Sequence, residues 1–97
     1  MRIIARTTLI NFWMKHPDCE ESLKAWFKVA NEAEWESPQA IKEQYKNASI
    51  MKDGRVVFNI AGNKYRLVVW INYDYSVIYI RFIGTHKQYD LIDAQTI

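Results

Sequence analysis

An α+β fold, with N-terminal helices packed on one face of a small antiparallel β-sheet, is what this sequence predicts. Three features predict it. Apolar residues recur at helical spacing through the first half of the chain. The period falls to two after Lys52-Asp53-Gly54. Turn signals then divide the second half into three strands. The 97 residues match one domain, 1–97, with a single core.

The elements follow in order. Arg2 to Ala5 is a short apolar run that suits an edge strand. Thr7 or Thr8 can cap a first helix, in which Leu9, Phe12, Trp13 and His16 stand at i, i+3, i+4, i+7. Pro17 ends it. Asp18 can cap a second helix, with Glu21 in capping-box position and Leu23, Trp26, Phe27 and Ala30 as its apolar stripe. Ser37-Pro38 opens a third, turning Ile41 and Tyr45 inward. Val56, Phe58 and Ile60 then alternate with Val57, Asn59 and Ala61, and Gly62-Asn63 supplies a hairpin connection. Tyr65 to Tyr73 is rich in β-branched and aromatic residues. Asp74-Tyr75-Ser76 is a turn, Val77 to Ile83 a further strand, and Gly84 its end. The tail, Thr85 to Ile97, is expected as a loop followed by a short helix. Helices on one sheet face leave the other free for a partner.

Composition excludes several classes. Hydrophobic residues make up 49% and charged residues 25%, as in ordinary globular chains rather than disordered or collagen-like ones. No apolar run reaches the roughly 18–20 residues of a membrane-spanning helix. The first residues carry no secretory-signal pattern. The single cysteine, Cys19, has no partner for a disulfide, and with His16 and His86 it offers no zinc-ligand spacing, so neither metal nor cofactor is expected. These features suit a cytoplasmic protein. The net charge is only +2, but residues 50–89 hold six Lys/Arg against two Asp. A basic half rich in aromatics suits nucleic acid; aromatics also simply fill small cores.

Two arginines stand inside apolar strands, Arg66 between Tyr65 and Leu67, and Arg81 between Ile80 and Phe82. A guanidinium there must meet water, a carboxylate or a ligand anion. If both converge on one sheet face they form a phosphate clamp. The segment Thr85-His86-Lys87-Gln88-Tyr89-Asp90 follows the last strand directly. It holds an imidazole, an ammonium, a phenol and a carboxylate. RNA carries its own nucleophile, the 2′-hydroxyl, so a metal-free nuclease needs only proton transfer and phosphate stabilisation. His86 suits proton transfer. Lys87 suits charge stabilisation, or proton removal if neighbouring cations depress its pKa, and Tyr89 suits stacking on a base or orienting the phosphate. A polar loop is the competing interpretation of the same segment. Lys52, Arg55 and Lys64, at strand ends and turns, either contact RNA phosphate or keep the edges soluble, and Asn59 either hydrogen-bonds RNA or is structural.

The stretch Val57 to Val69, with its FN-x-x-GN-x-x-R hairpin, followed by Thr85-His86-Lys87-Gln88-Tyr89-Asp90, resembles the HigB family of bacterial toxins, of the RelE-like superfamily. The resemblance extends over the chain in length and element order. It implies a RelE-like fold and a ribosome-dependent mRNA interferase that cuts mRNA by 2′-hydroxyl attack on the adjacent phosphate. It implies as partners the 70S ribosome, mRNA and a HigA-type helix-turn-helix antitoxin, with operator DNA reached only through the antitoxin. The family's strand arginine matches Arg66, its final-strand arginine Arg81, and its terminal histidine, lysine and tyrosine match His86, Lys87 and Tyr89. One departure stands out: better-known RelE members carry lysines where this chain has Val57 and Asn59, so proton removal by those lysines does not transfer. The alternatives on the same scaffold are a ParE-like gyrase poison and a non-catalytic ribosome- or antitoxin-binding protein.

Overall fold

The computed structural model describes all 97 residues. The chain runs β1 (Arg2–Ile4), α1 (Arg6–Lys15), a 3-10 turn (Pro17–Cys19), α2 (Glu20–Glu32), α3 (Pro38–Gln44), β2 (Ser49–Ile50), β3 (Arg55–Ile60), β4 (Tyr65–Asn72), β5 (Val77–Thr85) and α4 (His86–Tyr89). The strands form one sheet in the order β1-β5-β4-β3-β2.

The α+β arrangement is as predicted, but the sheet is mixed rather than purely antiparallel. β2 to β5 pair antiparallel, whereas β1 lies parallel to β5, with Ile3 opposite Ile78. Helical crossovers of this kind are what parallel neighbours require, and α1 and α2 leave β1 to cross the sheet. The two-residue β2, Ser49–Ile50, is too short to show the alternation that predicts a strand.

Local signals held in some places and yielded to tertiary contacts in others. Ser37 caps α3 as predicted, its hydroxyl accepting from Ala40 N. Neither Thr7 nor Thr8 caps α1; its N-cap is Ala5, without a side-chain bond. Asp18 does not cap α2 either. It sits in the 3-10 turn, and its carboxylate takes the Tyr65 hydroxyl at 2.6 Å instead. The amino group of Met1 donates to the carbonyls of Ala30, Asn31 and Ala33, satisfying the free end of α2.

The core lies between the helices and one sheet face. Leu9 and Trp13 of α1, and Leu23, Trp26 and Ala30 of α2, meet Phe58, Leu67, Val69, Ile71 and Ile78. Phe58 is its hub, with ring centroids 5.2 Å from Tyr45, 5.4 Å from Trp26 and 6.1 Å from Trp35. Each such side chain, fully buried, stabilises the fold by about 1.5–3 kcal/mol.

The opposite face is not free, contrary to expectation. Val57 and Val68 are buried on it beneath Ala94, with Tyr89, Ile92 and Ile97 packed around them. Two apolar residues on an outward face need cover, and the C-terminal segment supplies it. That segment also reverses the expected order: helix α4 comes first and turns follow. Gly84 lies within β5, opposite Arg66, rather than ending the strand, because the ladder continues to the pair Tyr65–Thr85.

Candidate active site on the outward sheet face

The β3–β4 hairpin positions the first candidate. Its loop bends through Ala61 (φ 53°) and Gly62 (φ 69°), a left-handed pair suited to tight reversal. The register then sets Asn59, Arg66 and Gly84 in one row across β3, β4 and β5. The Arg66 guanidinium donates to both oxygens of Asn63, at 2.9 Å to Oδ1 and 3.1 Å to the carbonyl. The loop that reverses the chain therefore also orients the arginine. The Arg66 guanidinium carbon lies 6.0 Å from the centroid of the Tyr89 ring.

The second candidate group starts at the end of β5. Thr85 and Gln88 form a capping box: the Thr85 hydroxyl accepts from Gln88 N at 3.1 Å, and the Gln88 side chain accepts from Thr85 N at 2.9 Å. This stops the strand and launches α4. The N–H of His86 donates to the Lys64 carbonyl at 3.0 Å, tying α4 to the hairpin. His86 Nδ1 lies 3.3 Å from Asp90 Oδ2, one helical turn on. A carboxylate at one ring nitrogen fixes the imidazole and leaves the other nitrogen for proton transfer. Asp90 has no role assigned from sequence, although its i, i+4 spacing from His86 is a signal for this contact.

Gly84 makes room at this corner for the Phe82 ring and the Gln88 side chain. A Cβ there would come within 2.5 Å of the Phe82 ring and 2.8 Å of Gln88 Oε1. Asn59, exposed on β3, lines a hollow of about 290 Å³ together with Tyr45, Asn47 and Gly62. His86 and Lys87 are exposed and Tyr89 is half-buried. This corner thus gathers Asn59, Arg66, His86, Lys87 and Tyr89.

The remaining candidates lie elsewhere. The Lys64 ammonium turns to Asp18, 3.3 Å away. The Tyr65 hydroxyl and then Lys64 hold the Asp18 carboxyl below its ordinary range, while the same hydrogen bond, with burial, pushes the Tyr65 phenol up to about 12. Arg81 is the extra residue of a β-bulge, since Phe82 faces Val68 and Ile80 faces Val69. It does not converge with Arg66. Arg81 and Arg55 instead donate to the main-chain oxygen of Ile97. Lys52 lies at the same far end, its backbone held by both atoms of the Gln95 amide.

Comparison with known proteins identifies the family. Residues 19–92 match the family model of the HigB toxin, described as the RelE-like toxic component of a toxin–antitoxin system. The chain is 28% identical over 96 residues to the mRNA interferase toxin HigB of Escherichia coli K12, covering 97% of this chain and 92% of that protein. The mRNA interferase HigB of Shigella flexneri gives the same figures. The mRNA interferase HigB of Escherichia coli O6:H1 is 23% identical over 92 residues, covering 93% and 89%. The match takes in α2, α3, β2 to β5 and α4, and with them every candidate site residue, so this chain belongs to the HigB family of RelE-like toxins.

Proposed function

We infer that the chain is an mRNA interferase acting at the outward face, with Arg66 and the His86–Asp90 pair as its working groups. The observation that carries this is the bond from His86 N to the Lys64 carbonyl, which brings an anion-binding guanidinium and an oriented imidazole to one corner. The names of its relatives support the substrate class.

The chemistry follows from the groups present. The 2′-hydroxyl oxygen of one nucleotide attacks the adjacent phosphorus, and its proton passes to His86. Arg66 stabilises the extra charge on the phosphate oxygens. The bond to the 5′-oxygen breaks, that oxygen takes up a proton, and a 2′,3′-cyclic phosphate remains. The Lys87 ammonium neutralises charge at the leaving side and can supply that proton. Tyr89 stacks on a base and braces Arg66. Arg81, placed away from this corner, acts on the strand rather than on the reacting phosphate.

An exposed corner excludes little water and holds RNA loosely. Positioning by the 70S ribosome would then supply much of the rate. The partner that silences the toxin is a HigA-type helix-turn-helix antitoxin, operator DNA being bound through it, and the complex works in the cytoplasm. Primer extension on an mRNA incubated with purified protein, with and without translating 70S ribosomes, tests this reading. Codon-phased cuts only in the presence of ribosomes are expected. No cuts in either reaction, with growth inhibition unaffected by His86→Ala and Lys87→Ala, would replace it with the gyrase-poison or adaptor reading.

A further inference from the structure

Strand β2 stops short of the end of β3. Ser49 pairs with Val57, and a longer β2 would set Asn47 opposite Asn59. The chain turns away instead, Ala48 N donating to the Tyr45 carbonyl at 3.0 Å, and no main-chain bond joins Asn47 to Asn59. Arg55 directs its carbonyl to Met51 N, on the β2 side of the strand. Alternate residues of a strand turn their main-chain groups the same way, so the N–H and C=O of Asn59 point to that side too. They meet no strand there. They face the hollow of about 290 Å³ between β3 and the segment that follows α3.

The walls of the hollow are polar groups with spare bonding capacity and one fixed ring. The asparagine side chains that bond within the chain are Asn63 and Asn72, which leaves the amides of Asn47 and Asn59 free. Gln44 Oε1 accepts from Trp35 Nε1 at 2.6 Å, which orients that amide and leaves its NH₂ group to donate. The Tyr45 ring is held edge-on by Phe58 and Trp35, at centroid distances of 5.2 and 6.2 Å. A donor and an acceptor side by side on one residue match the neighbouring acceptor and donor on the Watson–Crick edge of an unpaired base. The volume is at the lower end of the roughly 300–1,000 Å³ of small-ligand sites, a size for one base. An added β-strand fits poorly, because Asn59 offers a single main-chain pair and Ala61, next of that parity, has already turned into the loop with φ 53°.

We propose that this hollow, walled by Tyr45, Asn47 and the main chain of Asn59, is a pocket for one unpaired nucleobase of the RNA substrate and sets the base preference of cleavage. The pocket deepens the interferase reading and rests on it. Asn59 and Arg66 are direct neighbours across β3 and β4, about 4.5 Å apart between Cα atoms in a pair of this kind. A base and its own phosphate are only a sugar apart. A nucleotide whose phosphate sits on Arg66 can therefore lay its base over the edge of β3, where the Asn59 main chain takes the base edge, Asn47 reads a further polar group and Tyr45 supplies the aromatic wall.

The test has two arms. In the first, ¹⁵N-labelled protein is titrated with AMP, CMP, GMP and UMP without ribosomes. One base is expected to bind about tenfold more tightly than the weakest, moving the resonances of the Asn59 main-chain N–H and the Asn47 amide. In the second, ribosome-dependent cuts are mapped by primer extension, and the same base is expected at one fixed position of the cut site. Asn47→Ala should flatten both preferences about tenfold, and Asn47→Asp, which exchanges donors for an acceptor, should change which base is preferred. Nucleotide shifts that spare Asn59 and Asn47, or a base preference unchanged in folded Asn47→Ala and Asn47→Asp proteins, would overturn the pocket, while cutting by the wild type leaves the interferase reading standing. Base-selective shifts at Asn59 and Asn47 in a wild type that cuts no mRNA keep the pocket and sink the interferase reading. No shift with any nucleotide, but movement of the Asn59 N–H as protein concentration rises, would give this edge to a second copy of the chain and overturn the pocket as well.

Discussion

The backbone N–H of His86 donates to the carbonyl of Lys64 at 3.0 Å. Two segments 22 residues apart are joined there, the loop end that leads into Arg66 and the first residue of α4. The side chains proposed to act on the phosphate and on the proton are thus positioned by main-chain atoms on both sides. The bond survives side-chain substitution, so the site can be dissected by mutation without dismantling its frame.

Removal of Arg66 tests the phosphate role. Arg66→Ala is expected to lower ribosome-dependent cleavage by about 10²–10³-fold. The fold should persist, because the guanidinium bonds only to the Asn63 loop and the neighbouring carbonyl of Tyr65. Primer-extension rates and circular dichroism on the same preparation check both halves. Undiminished cleavage would remove Arg66 from the site.

Proton transfer separates His86 from its neighbours. His86→Ala is expected to cost about 10²–10⁴-fold in cleavage rate. Asp90→Asn should cost less, since it keeps a polar partner at Nδ1 but loses the carboxylate 3.3 Å away. Cleavage undiminished by His86→Ala in single-turnover assays would remove His86 as the proton-transfer group.

The Tyr65–Asp18 hydrogen bond makes stability depend on pH at both extremes. The Tyr65 phenol, normally near 10, is raised to about 12 by the bond to Asp18 and by burial. A folded value above the unfolded one stabilises fully below about pH 10, and that contribution disappears as pH rises toward about 12. Asp18 is shifted the opposite way, first by the Tyr65 hydroxyl, so its contribution is present above its ordinary value of 3.8 and is lost as pH falls further. Tyr65→Phe should lower the urea midpoint at neutral pH and flatten both limbs. A midpoint-versus-pH curve identical to that of the wild type would contradict the assignment.

Gly84→Ala should act on the site more than on the fold. The added methyl group meets the tips of Phe82 and Gln88, which can shift, so a loss of about 1–2 kcal/mol is expected. Moving Gln88 breaks the capping box that launches α4 at His86. Cleavage should therefore fall further than the denaturation midpoint suggests.

Phe58→Ala tests the core. Phe58 is almost wholly buried and touches the rings of Trp26, Trp35 and Tyr45. A loss of about 3–5 kcal/mol is expected in urea titration. A loss below about 1 kcal/mol would mean that the core repacks around the gap.

The sequence alone determined the type of most elements. The switch from helical to alternating apolar spacing at Gly54, the Ser37-Pro38 start and the Gly62-Asn63 reversal are local signals, and local hydrogen bonding and burial obey them. It also marked the polar groups of the corner, because Arg66 inside an apolar strand and the His86 to Asp90 segment after the last strand need no distant residue to be recognised. Tertiary structure alone decided which groups meet. Asp18 has the spacing of a helix cap, yet it serves Tyr65, since a buried phenol needs an acceptor more than an exposed helix end does. Arg81 looks equivalent to Arg66 along its strand, yet a bulge re-aims it, and it joins Arg55 at Ile97. The parallel entry of β1 and the cover that Ala94 gives to Val57 and Val68 bring together residues far apart in the chain. Such pairings depend on register and on the competition among all surfaces for cover, and no local period encodes either.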